Sequence, residues 1–152
     1  MRRQSGFTLI ELVIVIVVLG ILAALAVPRF ISLQREARIA VVDSLFNSVR
    51  SGANIVYAKS AALGESDNAT GFLDIDGPGP GGFVNTVFGY PDATQAAMTA
   101  LFDNLSPRYA FSNTSATTLV ISIDGIATCA VTYVRPAAAG STPIITRNIT
   151  GC

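Results

Sequence analysis

The side chain with the most chemistry to explain is Glu11. It is the sole ionisable group in an apolar run from Phe7 to Val27. At about 1.5 Å per residue, such a run crosses a hydrocarbon core of roughly 30 Å as one helix. A lone carboxylate there costs roughly 2.5 to 3.5 kcal/mol on insertion scales, so something must neutralise it. The second reactive pair is Cys129 and Cys152, in the last quarter of a chain whose apolar start points to export. A disulfide is the default expectation for them, ahead of two free thiols. A metal held by the pair is weaker still, because the chain has no histidine. Closing that loop contributes about 3 kcal/mol in the chain-entropy picture and pins the C-terminus.

The elements that position these groups follow from periodicity. One helix is expected from Phe7 to about Ala62, in two halves. Residues 7–28 are apolar on every face, as a lipid-embedded or filament-core helix must be. Gly20 and Pro28 interrupt this half: proline removes a backbone donor and clashes with the carbonyl four residues back, and glycine lowers the cost of unwinding. Residues 29–62 are amphipathic. Val42, Phe46, Val49, Ala53 and Val56 recur at spacings of four and three, with Asp43, Asn47, Arg50 and Asn54 about 100° round the helix. Arg29, Arg35, Glu36 and Arg38 sit just past the apolar run, where they suit lipid headgroups or neighbouring subunits.

Residues 63–152 are expected to form one small compact part. Gly64 ends the helix, and 64–82 reads as an irregular connection rich in Gly, Pro, Asp and Asn. Asp74 and Asp76 lie beside carbonyl-rich turns, but the calcium-loop spacing with a distal glutamate is absent. Phe83–Phe88 suits a short strand and Gly89-Tyr90-Pro91 a turn. Asp92 with Gln95 suits the cap of a short helix over 93–105. The sheet is expected over 109–149, with strands at Tyr109–Phe111, Thr118–Ile123, Ala127–Val134 and Ile144–Ile149; Asp124-Gly125 is the strongest hairpin signal. The fold class is α+β: a long N-terminal helix packed on an antiparallel sheet of about four strands.

Gly6-Phe7-Thr8-Leu9-Ile10-Glu11-Leu12, after the basic stretch Met1-Arg2-Arg3-Gln4-Ser5, resembles the N-terminus of a type IV prepilin. The resemblance implies the type IV pilin fold and cleavage between Gly6 and Phe7 on the cytoplasmic side, removing leader residues 1–6. It also implies N-methylation of Phe7 by the same peptidase and methyltransferase machinery, then polymerisation into a helical homo-oligomer. An ordinary secretory signal carries its apolar core before the cleavage site and loses it; here the core follows and is kept. The freed amine, about one turn from Glu11, would meet the Glu11 carboxylate of the same or a neighbouring subunit, which gives Glu11 its role in assembly. Several pilins lose helicity on packing in the stretch that matches Gly20 to Pro28. Gly89-Tyr90-Pro91-Asp92-Ala93, Cys129-Ala130-Val131-Thr132-Tyr133 and Gly151-Cys152 look like the subunit of mannose-sensitive haemagglutinin pili. That likeness implies surface attachment, biofilm initiation and a surface glycan as receptor, with no residue nameable as a sugar ligand.

Charge narrows the functions further. Ten basic and ten acidic residues balance, and loss of Arg2 and Arg3 leaves eight against ten, a net of −2. There is no basic footprint for nucleic acid, which disfavours a DNA-uptake pilin. The two leader arginines hold the N-terminus cytoplasmic by the positive-inside rule. The expected location is thus the inner membrane as a single-pass protein before assembly, and an extracellular pilus afterwards. With no histidine, a single lysine at Lys59 and no nucleophile beside a base at a recognisable spacing, no enzyme, cofactor or metal is expected. Asn-x-Ser/Thr matches at Asn68, Asn104, Asn113 and Asn148 read as coincidental. A pseudopilin of a type II secretion machine is the alternative use of the same helix.

Overall fold

The computed structural model describes residues 7–75, 82–102 and 108–152, and over 27–31 the backbone alone. The chain divides into two compact units, Met1–Ala37 and Arg38–Cys152. Helix α1, Leu9–Ala62, contributes to both. In the first unit every side chain from Leu9 to Leu25 is exposed. The large apolar ones range from Val13 at 42% to Leu9 at 81%. The stretch Leu9–Ala26 has a mean hydropathy of 3.1 and none of it is buried by the chain itself. A helix that is apolar all round needs lipid or other helices as its surroundings. α1 is assigned through Gly20 and Pro28 without interruption, so neither residue ends it in the single chain. The loss of helicity that the family resemblance implies concerns the packed filament.

In the second unit, α1 buries Val42, Leu45, Val49, Ala53 and Val56, none more than 4% exposed. The stripe is the expected one with a single exchange. Leu45, three residues after Val42, takes the deep position, and Phe46 is half-buried at the rim. Either residue satisfies a three-and-four spacing, and burial chose the branched aliphatic.

Two antiparallel sheets follow in chain order. The first joins β1 (Gly71–Asp74), β2 (Phe83–Val87) and β3 (Tyr90–Pro91); the second joins β4 (Tyr109–Ser115), β5 (Thr118–Ile123), β6 (Ile126–Val134) and β7 (Ile144–Asn148). The four-stranded meander was expected, the three-stranded sheet was not. Within the connection 64–82, expected to be irregular, β1 pairs Gly71 with Thr86 and Asp74 with Phe83. A side chain at Gly71 would put its Cβ 2.4 Å from the Thr86 hydroxyl, so the Thr86 side chain would have to move aside for any larger residue there. Residues 76–81 of that connection, including Asp76, lie outside the described residues. The segment Gly89-Tyr90-Pro91, expected as a turn, splits: Phe88 and Gly89 form the turn, with φ of 49° and 80°, and Tyr90–Pro91 pair with β2. Asp124 and Gly125 turn the β5–β6 hairpin with φ of 52° and 74°, as the Asp-Gly signal predicts. β4 runs further than expected, through polar residues to Ser115, with a bulge between Asn113 and Ser115; it is an edge strand that needs no apolar alternation.

Helix α2 covers Gln95–Leu101, with Thr94 as its cap: the Thr94 hydroxyl accepts from Ala97 N at 3.2 Å. Asp92, the expected cap, accepts instead from Ala93 N and, at 2.7 Å, from Arg135. The expected end of this helix at 103–105 lies outside the described residues.

Two links hold the second unit's sheets together. Tyr133 on β6 is fully buried and donates its hydroxyl to Pro91 O on β3 at 2.7 Å. Arg135, just past β6, pairs with Asp92, just past β3. Cys129, fully buried on β6, is bonded to Cys152 across a sequence separation of 23, with Cα atoms 4.9 Å apart. The chain is therefore α+β, with a long N-terminal helix, antiparallel sheets and a C-terminal disulfide.

The disulfide and the buried tyrosine each give a measurable expectation. Replacing Cys129 and Cys152 together by Ala lowers stability by about 3 kcal/mol, read from the denaturant midpoint. A loss well under about 1 kcal/mol would mean that the β6–β7 ladder alone holds the C-terminus. Burial, aided by Asp92 and then Tyr90, pushes the Tyr133 phenol far above its ordinary 10.0. Above about pH 10 the unfolded chain releases a proton that the folded chain retains, so stability is intact below that pH and falls as pH rises beyond it. Tyr133→Phe flattens this alkaline decline and costs about 1 kcal/mol at neutral pH for the lost hydrogen bond. Thermal melts of both proteins from neutral to alkaline pH check the pair, and parallel alkaline slopes would refute the role of Tyr133.

Candidate functional site

At the start of α1 the backbone donors of the first turn have no partners within the helix. Thr8 and Glu11 supply them. The Thr8 amide donates to Glu11 Oε2 at 2.9 Å, the Thr8 hydroxyl donates to the same oxygen at 2.7 Å, and the Glu11 amide donates to Thr8 Oγ1 at 3.4 Å. This is a reciprocal capping box, Thr-x-x-Glu, with Thr8 as the cap and Glu11 three residues on. Sequence reading singled out Glu11 and passed over Thr8, although the spacing that reveals the box is in plain view. Both bonds to the carboxylate end on Oε2, and Oε1 has no partner among the described residues. Glu11 thus has a fixed direction, a half-satisfied carboxylate and full exposure.

Phe7 precedes the helix with 87% of its surface exposed. Gly6 lies outside the described residues. A Cβ at Gly20 would meet nothing within 4 Å. Pro28 falls within α1. Cys129 and Cys152 meet in the second unit. The structure therefore brings Thr8 and Glu11 together beside Phe7, and keeps the cysteine pair as a separate structural feature.

The charges of the second unit are mostly paired. Arg38 and Arg108 both reach Asp124, at 3.7 and 3.5 Å. Arg147 bonds Asp43, and Lys59 donates to the Asp74 carbonyl. Arg38 also donates to the terminal Cys152 carbonyl at 3.5 Å. These pairs are partly exposed and each contributes under about 1 kcal/mol. Their use is to fix the helix, the Asp124-Gly125 turn and the C-terminus in one register. Among the described residues, no three metal-ligating side chains cluster. On the three-stranded sheet, Phe72 and Phe83 stack with centroids 4.8 Å apart while both remain exposed.

Comparison with known proteins adds the following. The family description "Prokaryotic N-terminal methylation motif" matches residues 1–27. The Type IV major fimbrial protein FimA of Dichelobacter nodosus is 35% identical over 114 residues, covering 65% of this chain and 71% of that protein. The Type IV narrow pilus major component PilA5 of Thermus thermophilus is 48% identical over 65 residues, 43% of this chain and 56% of that one. The Type II secretion system core protein G of Pseudomonas aeruginosa is 58% identical over 40 residues, 26% of this chain and 28% of that one. The chain thus spans about half of the Thermus protein and under a third of the secretion protein. No solved structure matches it. An unburied apolar helical stretch opening on a Thr-Glu capping box, an α+β unit later in the chain and a 35% match across most of a fimbrial protein lead to one conclusion: the chain belongs to the type IV pilin family.

Proposed function

We propose that this chain is the structural subunit of a type IV pilus, polymerising through α1 into a surface filament. The observation that carries the reading is the Glu11 carboxylate. It is held by Thr8 through one oxygen, the other having no partner among the described residues, at the start of an apolar stretch, Leu9–Ala26, that its own chain leaves unburied. In this reading residues 1–6 are removed between Gly6 and Phe7 by a prepilin peptidase, Phe7 is N-methylated, and the new cation at Phe7 completes the Glu11 carboxylate of a neighbouring copy. An ion pair in low dielectric is strongly favourable only when both partners are present, so it acts as a registry element for docking. Before assembly, residues 7–28 span the inner membrane once with the N-terminus cytoplasmic. After assembly they form the filament core, where Gly20 and Pro28 let the helix unwind locally. Residues 29–62 join that core to the exported part, 63–152.

The finer assignment is an adhesive filament of the mannose-sensitive haemagglutinin kind, acting in surface attachment and biofilm formation, with a surface glycan as receptor. It rests on the segments Gly89–Ala93 and Cys129–Tyr133 and on the C-terminal disulfide. A pseudopilin of a type II secretion machine is the second reading, favoured by the 58% identity over 40 residues to the secretion protein. Filaments on the cell surface in electron micrographs separate the two, since the second reading expects none at ordinary expression.

Two experiments test the assembly reading. N-terminal sequencing of protein sheared from cells returns a methylated Phe7; a product beginning at Met1 would end the proposal. Glu11→Val leaves the chain in the membrane fraction but reduces sheared filament by about a hundredfold or more, matching the roughly 3 kcal/mol lost when one partner of a buried pair is removed. Undiminished filament in that variant would refute the role of Glu11.

A further inference from the structure

Every cation described in the second unit has a partner except one. Arg38, Arg108, Arg135 and Arg147 meet carboxylates, and Lys59 meets a carbonyl. Arg50 has no hydrogen bond or ion pair among the described residues, and it lines a cavity of about 280 Å³. Asn54, one turn further along the helix, lines the same cavity from the same side, and Thr142 closes it opposite. Tyr90 forms the floor. The residue is only 6% exposed, and its ring stacks on Tyr57 with centroids 4.4 Å apart. Its hydroxyl nevertheless has no hydrogen-bond partner among the described residues. Tyr90 itself lines the cavity. A buried polar group is ordinarily satisfied by its own protein, and one left open in a cavity marks a place for an outside partner.

We infer that this cavity binds a carboxylated sugar ring of single-residue size, a hexuronate or similar acidic saccharide unit. Each part of the lining matches one part of that ligand. The Arg50 guanidinium offers the forked donors that a carboxylate takes bidentately. The Asn54 amide, the Tyr90 hydroxyl and the Thr142 hydroxyl each both donate and accept, as sugar hydroxyls do. Burial, with Tyr57 beside it, pushes the Tyr90 phenol up, so it remains a neutral donor and acceptor. Phe46 and Pro143 supply the apolar wall against which the C–H face of a ring packs. At about 280 Å³ the cavity falls just below the roughly 300 to 1,000 Å³ usual for small-molecule sites, which suits a ligand of one ring. A neutral sugar would leave the Arg50 charge unmatched, and a bare carboxylate would leave three neutral polar groups unmatched. The site is a property of the second unit and does not rest on polymerisation.

The test is calorimetric titration of the full chain in detergent with sodium glucuronate, glucose and acetate, repeated on assembled filaments. The expected result is saturable glucuronate binding at least about tenfold tighter than either control. Arg50→Gln abolishes that preference, and Tyr90→Phe weakens binding several-fold, with the thermal midpoint of Arg50→Gln unchanged because Arg50 is exposed. Acetate binding as tightly as glucuronate would mean the ring is not read; glucose binding as tightly would mean the carboxylate is not read. Either result overturns the inference, as does the absence of any saturable binding. Filaments that exclude glucuronate while the dispersed chain binds it still support the inference, and place the cavity against a neighbouring subunit in the filament.

Discussion

A helix that is apolar on all sides and buried on none is unstable in water as an isolated object, and that constraint governs the rest of this molecule. The first half of α1 buries nothing against its own chain, so its hydrophobic surface must be satisfied by lipid or by other copies. Glu11 is the one group in it for which those two surroundings differ. Lipid offers its second oxygen no donor, whereas the assembly proposed above does. Thr8 satisfies the other oxygen locally, which lowers the cost of placing the carboxylate in apolar surroundings without removing it.

The second unit is organised by a different logic. Its core is ordinary, made of a helix stripe and the inner faces of short strands, but several junctions are pinned by polar contacts from buried or half-buried positions. Tyr133 reaches across to Pro91, Arg135 to Asp92, and Arg38 to both Asp124 and the terminal Cys152 carbonyl. A small unit buries only a modest fraction of its surface, so a disulfide and a few directional bonds contribute a large share of what makes the native arrangement unique.

Much of this was legible in the sequence where a strong periodicity or a rare residue carried the signal. The apolar run with one glutamate, the Asp124-Gly125 hairpin, the alternation of β5 and β6, and the cysteine pair all depend on a few residues whose physics admits little choice. What escaped reading shares a cause: the deciding interaction is between segments. β1 is four residues containing one inward leucine, Leu73, and exists because β2 offers it a ladder. β3 is two residues long, below the length at which any period is visible. Thr94 and Asp92 are both good caps, and the choice was made by Arg135, forty residues away in sequence, which takes the aspartate. Leu45 and Phe46 fit the stripe equally well until the sheet is present to choose. Thr8 is the exception, since its box with Glu11 is purely local and its spacing was open to reading.

The bulge between Asn113 and Ser115 has a bearing on life at high density. β4 and β7 are the open edges of the four-stranded sheet, and an open edge is a template for sideways zipping into a cross-β ladder. β4 carries a polar tail and a break in register, and β7 is five residues long with Arg147 on it tied to Asp43. Neither edge presents a flat, apolar, uninterrupted row of donors and acceptors. Copies of this molecule crowded side by side are therefore guarded against their sheets fusing into amyloid-like aggregates.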